Sequence, residues 1–289
     1  LTIFVVLHAL IGARIVFFGD AHFDRGVRDA TAKRPVAKLF VSTQGLRDSS
    51  DFSLLNLETP LCEPSVPAVK KPISLRSDPE VATTLRDAGF THAILANNHS
   101  MDRGLAGLGR TIALLERSGI RPVGASTRGD PCAPVMVKTK TDSVALLAIA
   151  ILPGIDTRHV CADTSRLRHH LAALARSGVP ALVSLHWGTE QSRAVSRAQH
   201  ELADRLAAWG ASALVGHHAH VVQSSHRQIP SILQGKPVWY GIGNFVFDQH
   251  EPWTRRALAV QITTNPGKAI SWKSIELVRD GPWVRIAKP

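Results

Sequence analysis

The stretch 213–223 reads A-L-V-G-H-H-A-H-V-V-Q. An apolar run that suits a buried strand ends at Gly216, and His217, His218 and His220 follow at once. Imidazole is a common metal ligand, and two of them with one residue between can both turn toward one site at a strand-to-loop corner. Four more segments carry similar chemistry at or just beyond the end of an apolar run: G-D-A-H at 19–22, N-L-E at 56–58, N-N-H at 97–99 and L-H-W-G at 185–188. Loops at the ends of sheet strands are where an α/β scaffold gathers its functional groups. One His-x-His would be a weak signal; five such corners in one chain point to a metal site.

Bulk composition is compatible with that reading. With 289 residues, 44% hydrophobic and 20% charged, the chain can bury a substantial core and is not a disordered tract. It holds no internal repeat and no low-complexity run. A net charge of +11 with a pI near 10.2 favours acidic partners, such as polyanionic polymers, phosphorylated molecules or anionic membrane surfaces. Nucleic acid is disfavoured: there is no basic stripe interleaved with aromatics, no zinc-finger spacing and a single tyrosine. Cys62, Cys132 and Cys161 are odd in number and far apart, so each reads as an isolated thiol rather than as part of a thiolate zinc site or a disulfide framework.

The segment 1–13 is almost wholly apolar, with His8 inside it, and shorter than the roughly 20 residues a membrane span needs. Two readings stand: a first buried strand, or the remnant of a signal or anchor ending in the small residues 11–13. The second implies a cell-surface or membrane-associated protein, and the first leaves a cytoplasmic one open.

Along the chain, strands are expected at 14–19, 51–57, 90–96, 142–152, 179–185 and 211–215, and helices at 78–88, 105–118, 165–177 and 191–209. Ser77 or Asp78 would cap the first helix, and Gly89, Gly119 and Gly210 stop three of them. Segments 236–247, 255–264 and 271–278 read as closing strands. Alternation of strand and helix followed by strands predicts an α/β fold with sheet packed on sheet and helices outside, organised as one domain over 1–289.

In this order the segments G-D-A-H-F-D-R (19–25), N-L-E-T-P-L (56–61), A-N-N-H-S-M-D-R-G (96–104), H-W-G-T-E (186–190), G-H-H-A-H-V-V-Q (216–223) and Y-G-I-G-N-F-V-F-D (240–248) resemble the CapA-like, poly-γ-glutamate capsule branch of the calcineurin-like metallophosphoesterases. The resemblance implies a four-layer α/β/β/α sandwich with two divalent ions at the loop ends. It implies Asp20, His22 and His220 on one ion and Glu58, Asn98, His186 and His218 on the other, with Asp20 or Glu58 bridging. Carboxylates, imidazoles and an amide oxygen without thiolate suit Mn, Zn or Fe. His99 would be the general acid, Asp102 its orienting partner or a helix cap, and Arg25 a clamp for a phosphate or carboxylate. His217 reads as a packed neighbour, Asn244 and Asp248 as a turn and a brace, and Trp187 and Trp239 as core, with Trp253 a candidate for lining a pocket.

Three departures from the family pattern stand out. Glu58 replaces the Asp usual at the bridging position, Ser100 follows His99 where an acidic residue is common, and His22 is present where many CapA-like chains lack it. Three functions remain open on the sequence: a metal-dependent hydrolase of a phosphoester or an acidic peptide polymer, a non-catalytic accessory component working with membrane-bound capsule-synthesis partners, and a metal-assisted peptide epimerase.

Overall fold

The computed structural model describes residues 12–139, 143–224, 228–265 and 268–288. The first sheet begins with β1 (Arg14–Ala21) and, after helix α1 (Arg25–Thr31), a 3-10 turn (Val36–Thr43) and α2 (Gln44–Asp48), adds β2 (Phe52–Leu57). Helix α3 (Val81–Asp87), β3 (His92–Ile94), α4 (Gly104–Arg117) and β4 (Arg121–Val123) complete its parallel part. The chain then enters a second sheet through β5 (Val135–Lys138), β6 (Ser143–Ile151), α5 (Thr164–Arg176), β7 (Ala181–Trp187), α6 (Arg197–Ala208) and β8 (Ala213–His217). Short strands β9 (Val222–Gln223), β10 (Ser231–Leu233), β11 (Lys236–Trp239), β12 (Gly241–Ile242) and β13 (Asn244–Val246) precede the long hairpin of β14 (Arg256–Asn265), β15 (Lys268–Asp280) and β16 (Trp283–Ile286).

One sheet runs β16-β15-β14-β1-β2-β3-β4, with β13 also on β1, and the other runs β10-β11-β8-β7-β6-β5. Their strands are apolar on both faces because both faces are covered. In β1, Ile15 and Phe17 join the core between the sheets, while Val16 and Phe18 point to the core shared with α3 and α4. In β6, Val144, Leu146 and Ala148 face the first sheet, whereas Ala145, Leu147 and Ile149 pack under α5 and α6. Period-two alternation thus makes three cores and four layers, α/β/β/α, as expected. No helix among the described residues is long and apolar enough to cross a membrane. Residues 1–11, with most of the apolar N-terminal segment, lie outside the described residues.

Several elements depart from the sequence reading for local reasons. The helix expected over 191–209 starts only at Arg197, because Ser196 and Gln199 form a reciprocal capping box. The helix expected from Asp78 starts at Val81: Ser77 Oγ accepts from Phe23 N and meets Thr59 Oγ1, and Asp78 takes Arg76, so neither caps it. Asp102 does not cap α4 either; Arg103 occupies that position.

The strand expected over 236–247 is broken in three. Trp239 pairs with β8, Gly241–Ile242 pairs with β9, and Asn244–Val246 crosses to β1. That crossing stitches the sheets together and requires glycine beneath it. A Cβ on Gly216 would lie 1.9 Å from the Tyr240 carbonyl oxygen, and one on Gly19 would lie 1.9 Å from that of Gly243. These are the glycines immediately before His217 and Asp20, so the close approach brings the two strand ends to one place.

The cysteine reading is corrected: Cys132 and Cys161 form a disulfide with Cα atoms 4.8 Å apart, and only Cys62 is a free, buried thiol. Their loops are brought together by the Ala125–Val160 bridge and by Cys161 N donating to Gly124 O. This tertiary pairing leaves no spacing signature in the chain.

Candidate metal centre

The carboxyl ends of parallel strands in both sheets meet in one crevice, the usual place for ligands in open α/β sheets. Asp20 ends β1, Glu58 follows β2, Asn97, Asn98 and His99 follow β3, His186 is near the end of β7, and His218 and His220 follow β8. Apart from Asn98, these side chains are buried.

Asp20 is fixed on both oxygens. Asn56 Nδ2 donates to Oδ1 at 2.8 Å and His218 N donates to Oδ2 at 3.2 Å. His217 Nδ1 and His220 Nδ1 stand 3.2 and 3.1 Å away, the former without an aligned hydrogen bond. Burial acts to raise the Asp20 carboxyl, but His217 and His220 outweigh it and hold it well below the usual carboxylate range.

Glu58 is the opposite case. It is fully buried and neither oxygen has a hydrogen-bond partner. Its Oε1 lies 3.5 Å from His186 Nε2 and 3.9 Å from both His99 Nε2 and His220 Nε2. Burial pushes this carboxyl well above its ordinary value. An unpaired buried carboxylate is costly, and buried charges are normally paired or coordinate metals.

The imidazoles divide similarly. Burial, then the charge of His218, pushes His186 well below its ordinary value, and burial with His220 lowers His218 to about 4, with its Nδ1 unpartnered. Neutral imidazoles are the form that binds metal. On His220 burial acts downward, but the carboxylates of Glu58 and Asp20 outweigh it and raise the ring to about 9. Asn244 Oδ1, 2.9 Å from His220 Nδ1, braces the ring from behind and leaves Nε2 toward Glu58. His218 (φ 80°) and His220 (φ 57°) both adopt left-handed backbone, which costs about 1–3 kcal/mol per residue and gathers at functional sites.

Ligand atoms of Glu58, His186 and His218 lie within 4.8 Å of one another, as do those of Asp20, Glu58 and His220, with Glu58 common to both groups. Donors held about 2.1 Å from one ion stand roughly 3–3.5 Å apart, so these side chains fit divalent ions with little movement. Asn98 Oδ1 is 2.8 Å from His186 Nε2, at the edge of the first group. His22 is not brought in. Its Nε2 is 3.0 Å from Asp248 Oδ1 and its Nδ1 accepts from Asp24 N at 3.2 Å. Arg25 Nη2 donates to the same Asp248 oxygen at 2.7 Å, so this half-exposed guanidinium is bound to a brace at the rim.

His99 Nδ1 is 2.7 Å from Asp102 Oδ2. Asp102 is fully buried and also organises the segment 69–75: it accepts from Leu75 N at 2.6 Å and from Lys71 Nζ, while its main-chain oxygen accepts from Val69 N and Ser74 Oγ. Lys71 additionally donates to the Asn98 carbonyl at 2.9 Å. The roles of Asn56 and Lys71 were not assigned from the sequence. Asn56 carried a readable signal in its place two before Glu58; Lys71 carried none, because its contact spans 31 residues.

The fold and the convergent donors define a sandwich of the metallo-dependent phosphatase type. Residues 14–249 match the family model described as bacterial capsule synthesis protein PGA_cap, and the chain belongs to that family. It is 26% identical over 259 residues to the PGA biosynthesis protein CapA of Bacillus subtilis, covering 85% of this chain and 66% of that one. It is 28% identical over 252 residues to the capsule biosynthesis protein CapA of Bacillus anthracis, covering 82% and 60%. A probable polyglutamine synthesis accessory protein of Mycobacterium tuberculosis is 29% identical over 259 residues, with 79% and 66% covered. The aligned part thus spans under two thirds of each of these relatives. Among solved structures, one described as a novel phosphatase of Mycoplasma pneumoniae superposes with a TM-score of 0.59 at 12% identity, over 94% of this chain and 95% of that one. A hypothetical protein from Thermus thermophilus gives 0.53 at 17% identity, over 91% and 99%.

Proposed function

We propose that this chain is a metal-dependent hydrolase in the synthesis or processing of an acidic capsule polymer, acting on a γ-glutamyl-type amide or a phosphoester. The observation that carries the proposal is Glu58, a buried carboxylate without a hydrogen bond that is shared by two groups of metal donors. Asp20, Glu58, Asn98, His186, His218 and His220 would hold two divalent ions (Mn, Zn or Fe), which supply Lewis acidity and lower the pKa of a water molecule. His99, its Nδ1 2.7 Å from Asp102 Oδ2, would present Nε2 to a departing group as its proton donor. Lys71 and Leu75 N fix Asp102 and so fix the ring. The +11 net charge of the chain suits an anionic polymer as partner. The Cys132–Cys161 disulfide supports work in an oxidising compartment, where capsule-synthesis partners of a membrane assembly would be met.

A second reading, an accessory protein without catalysis, draws on the name of the Mycobacterium tuberculosis relative, a probable polyglutamine synthesis accessory protein. Metal content separates the two. Purified protein should hold near two equivalents of Mn, Zn or Fe and cleave phosphoesters or γ-glutamyl peptides, and His218→Ala/His220→Ala should lose both properties. Two bound ions with no cleavage, in protein whose His99→Ala variant binds polymer as the parent does, would favour the accessory reading. No bound metal after reconstitution would sink the hydrolase.

A further inference from the structure

Glu190 lies outside the ligand set that the sequence suggests, yet its carboxylate is within 4.8 Å of donor atoms of both His218 and His220. It is the exposed member of that group and the two histidines are buried, so it approaches the crevice from solvent. Its loop is held there. Strand β7 ends at Trp187, and Gly188 (φ 89°) turns the chain back over the crevice. Gln191 N then donates to Ala219 O at 2.7 Å, the carbonyl between the two histidines. Trp253 Nε1 donates to Gln191 Oε1 at 3.2 Å from the far side. Gln191 (φ 58°) is left-handed like His218 and His220, so three of the five described non-glycine residues with positive φ lie in these two facing loops. Left-handed non-glycine backbone of this kind gathers at active sites and ligand clamps.

We propose that Glu190 is a ligand of the metal centre, held on its solvent side beside His218 and His220. This rests on the metal reading above. A carboxylate oxygen beside two imidazole nitrogens is a donor set that Zn and Mn accept. His22, with Asp24 N on one nitrogen and Asp248 on the other, then acts as a brace for the loop that opens α1.

The test uses the full chain as parent, Glu190→Gln, His22→Gln and His218→Ala, stripped of metal and titrated separately with Mn²⁺ and Zn²⁺ by equilibrium dialysis. Glu190→Gln should bind at least one ion about tenfold or more weakly, the loss seen even for outer-shell partners of a metal site. His22→Gln should stay within about threefold of the parent, below that outer-shell range. If Glu190→Gln keeps the parent affinity and stoichiometry while His218→Ala loses them, the inference is overturned and the centre stands. If parent and His218→Ala bind alike, or neither binds, the centre itself is overturned and Glu190 with it. Superimposable circular dichroism of the metal-free variants confirms that the exposed Glu190→Gln change has not unfolded the chain.

Discussion

Glu58→Gln should make the metal-free protein more stable and the metal-loaded protein less so. Glu58 is fully buried, and both its oxygens lack a hydrogen-bond partner in the protein. A buried acceptor left in that state costs about 1–3 kcal/mol. Glutamine keeps the shape and one unpaired acceptor but removes the charge and offers N–H donors to the imidazole nitrogens 3.5–3.9 Å away, and Asp20 still pairs with His220 at 3.1 Å. At pH 8 in chelator the variant should therefore be the more stable of the two, and each kcal/mol gained should raise the melting temperature by roughly 2–4 °C. The pH dependence carries a sign of its own. Burial raises the Glu58 carboxyl above its ordinary 4.5, so the folded state holds that proton more tightly than the unfolded state does. Its contribution is present below 4.5 and lost as pH climbs above it, and the advantage of Glu58→Gln should widen from pH 4.5 upward.

Metal reverses the order. An ion at 100 times its dissociation constant stabilises the parent by about 2.7 kcal/mol. The variant lacks the carboxylate common to both donor groups and should gain much less. Urea or thermal unfolding followed by circular dichroism, at pH 5 and 8, with chelator or saturating Mn²⁺, reads all four conditions. A Glu58→Gln protein that is less stable than the parent by more than about 1 kcal/mol in chelator, and equally stabilised by metal, would refute the assignment of Glu58 as a ligand held in waiting.

Three further outcomes are expected. Gly216→Ala places a methyl 1.9 Å from the Tyr240 carbonyl oxygen, beyond what a side chain can relieve, so stability should fall by about 3 kcal/mol or more, or soluble protein should be lost. Reducing Cys132–Cys161 opens a closure of 29 residues and should lower urea stability by about 3–4 kcal/mol on the chain-entropy account, whereas Cys62→Ser should show the same sensitivity to reductant as the parent. Burial, helped by Arg121, lowers His92 to about 4 from 6.5, so its folded form stays neutral; stability should be full above pH 6.5 and fall by up to about 3 kcal/mol as pH drops toward 4, and His92→Phe should flatten that part of the pH–stability curve.

How much of this was legible in the chain depended on whether the information was local. The alternation of Val16 and Phe18 with Ile15 and Phe17 is local, and so are the strand-end positions of Asp20, Glu58, His186, His218 and His220. The helix stops at Gly89, Gly119 and Gly210 are also local, each with positive φ. The Cys132–Cys161 bond, the Lys71–Asp102 contact and the commitment of His22 to Asp248, 226 residues away, are not. Segment 236–247 shows the same limit from the other side. Its composition is that of a continuous strand, and only the partners β8, β9 and β1 divide it. Glu190 stands in H-W-G-T-E, but its place beside His218 and His220 depends on a long-range contact, Gln191 N to Ala219 O, that the chain does not announce.

Asp20 and Glu58 show what the fold itself fixes at the centre. Asp20 receives hydrogen bonds from Asn56 and His218 N, so its orientation is set before any ion arrives. Glu58 receives none, and three imidazole nitrogens face its Oε1 at 3.5–3.9 Å. A protein built only to present a polymer-binding surface gains nothing from keeping such a group buried, since an apolar residue of the same shape would relieve the cost. The same holds for left-handed backbone at His218 and His220, where glycine or asparagine would be less strained. Local destabilisation at several residues that converge on one point is the cost to the fold that the proposed metal centre would carry. It follows that the stabilisation gained on adding metal should fall together for Glu58→Gln and His218→Ala, and that combining the two should cost little more than either alone. Full additivity of the two losses would mean that they serve separate sites, and the shared centre would have to be given up.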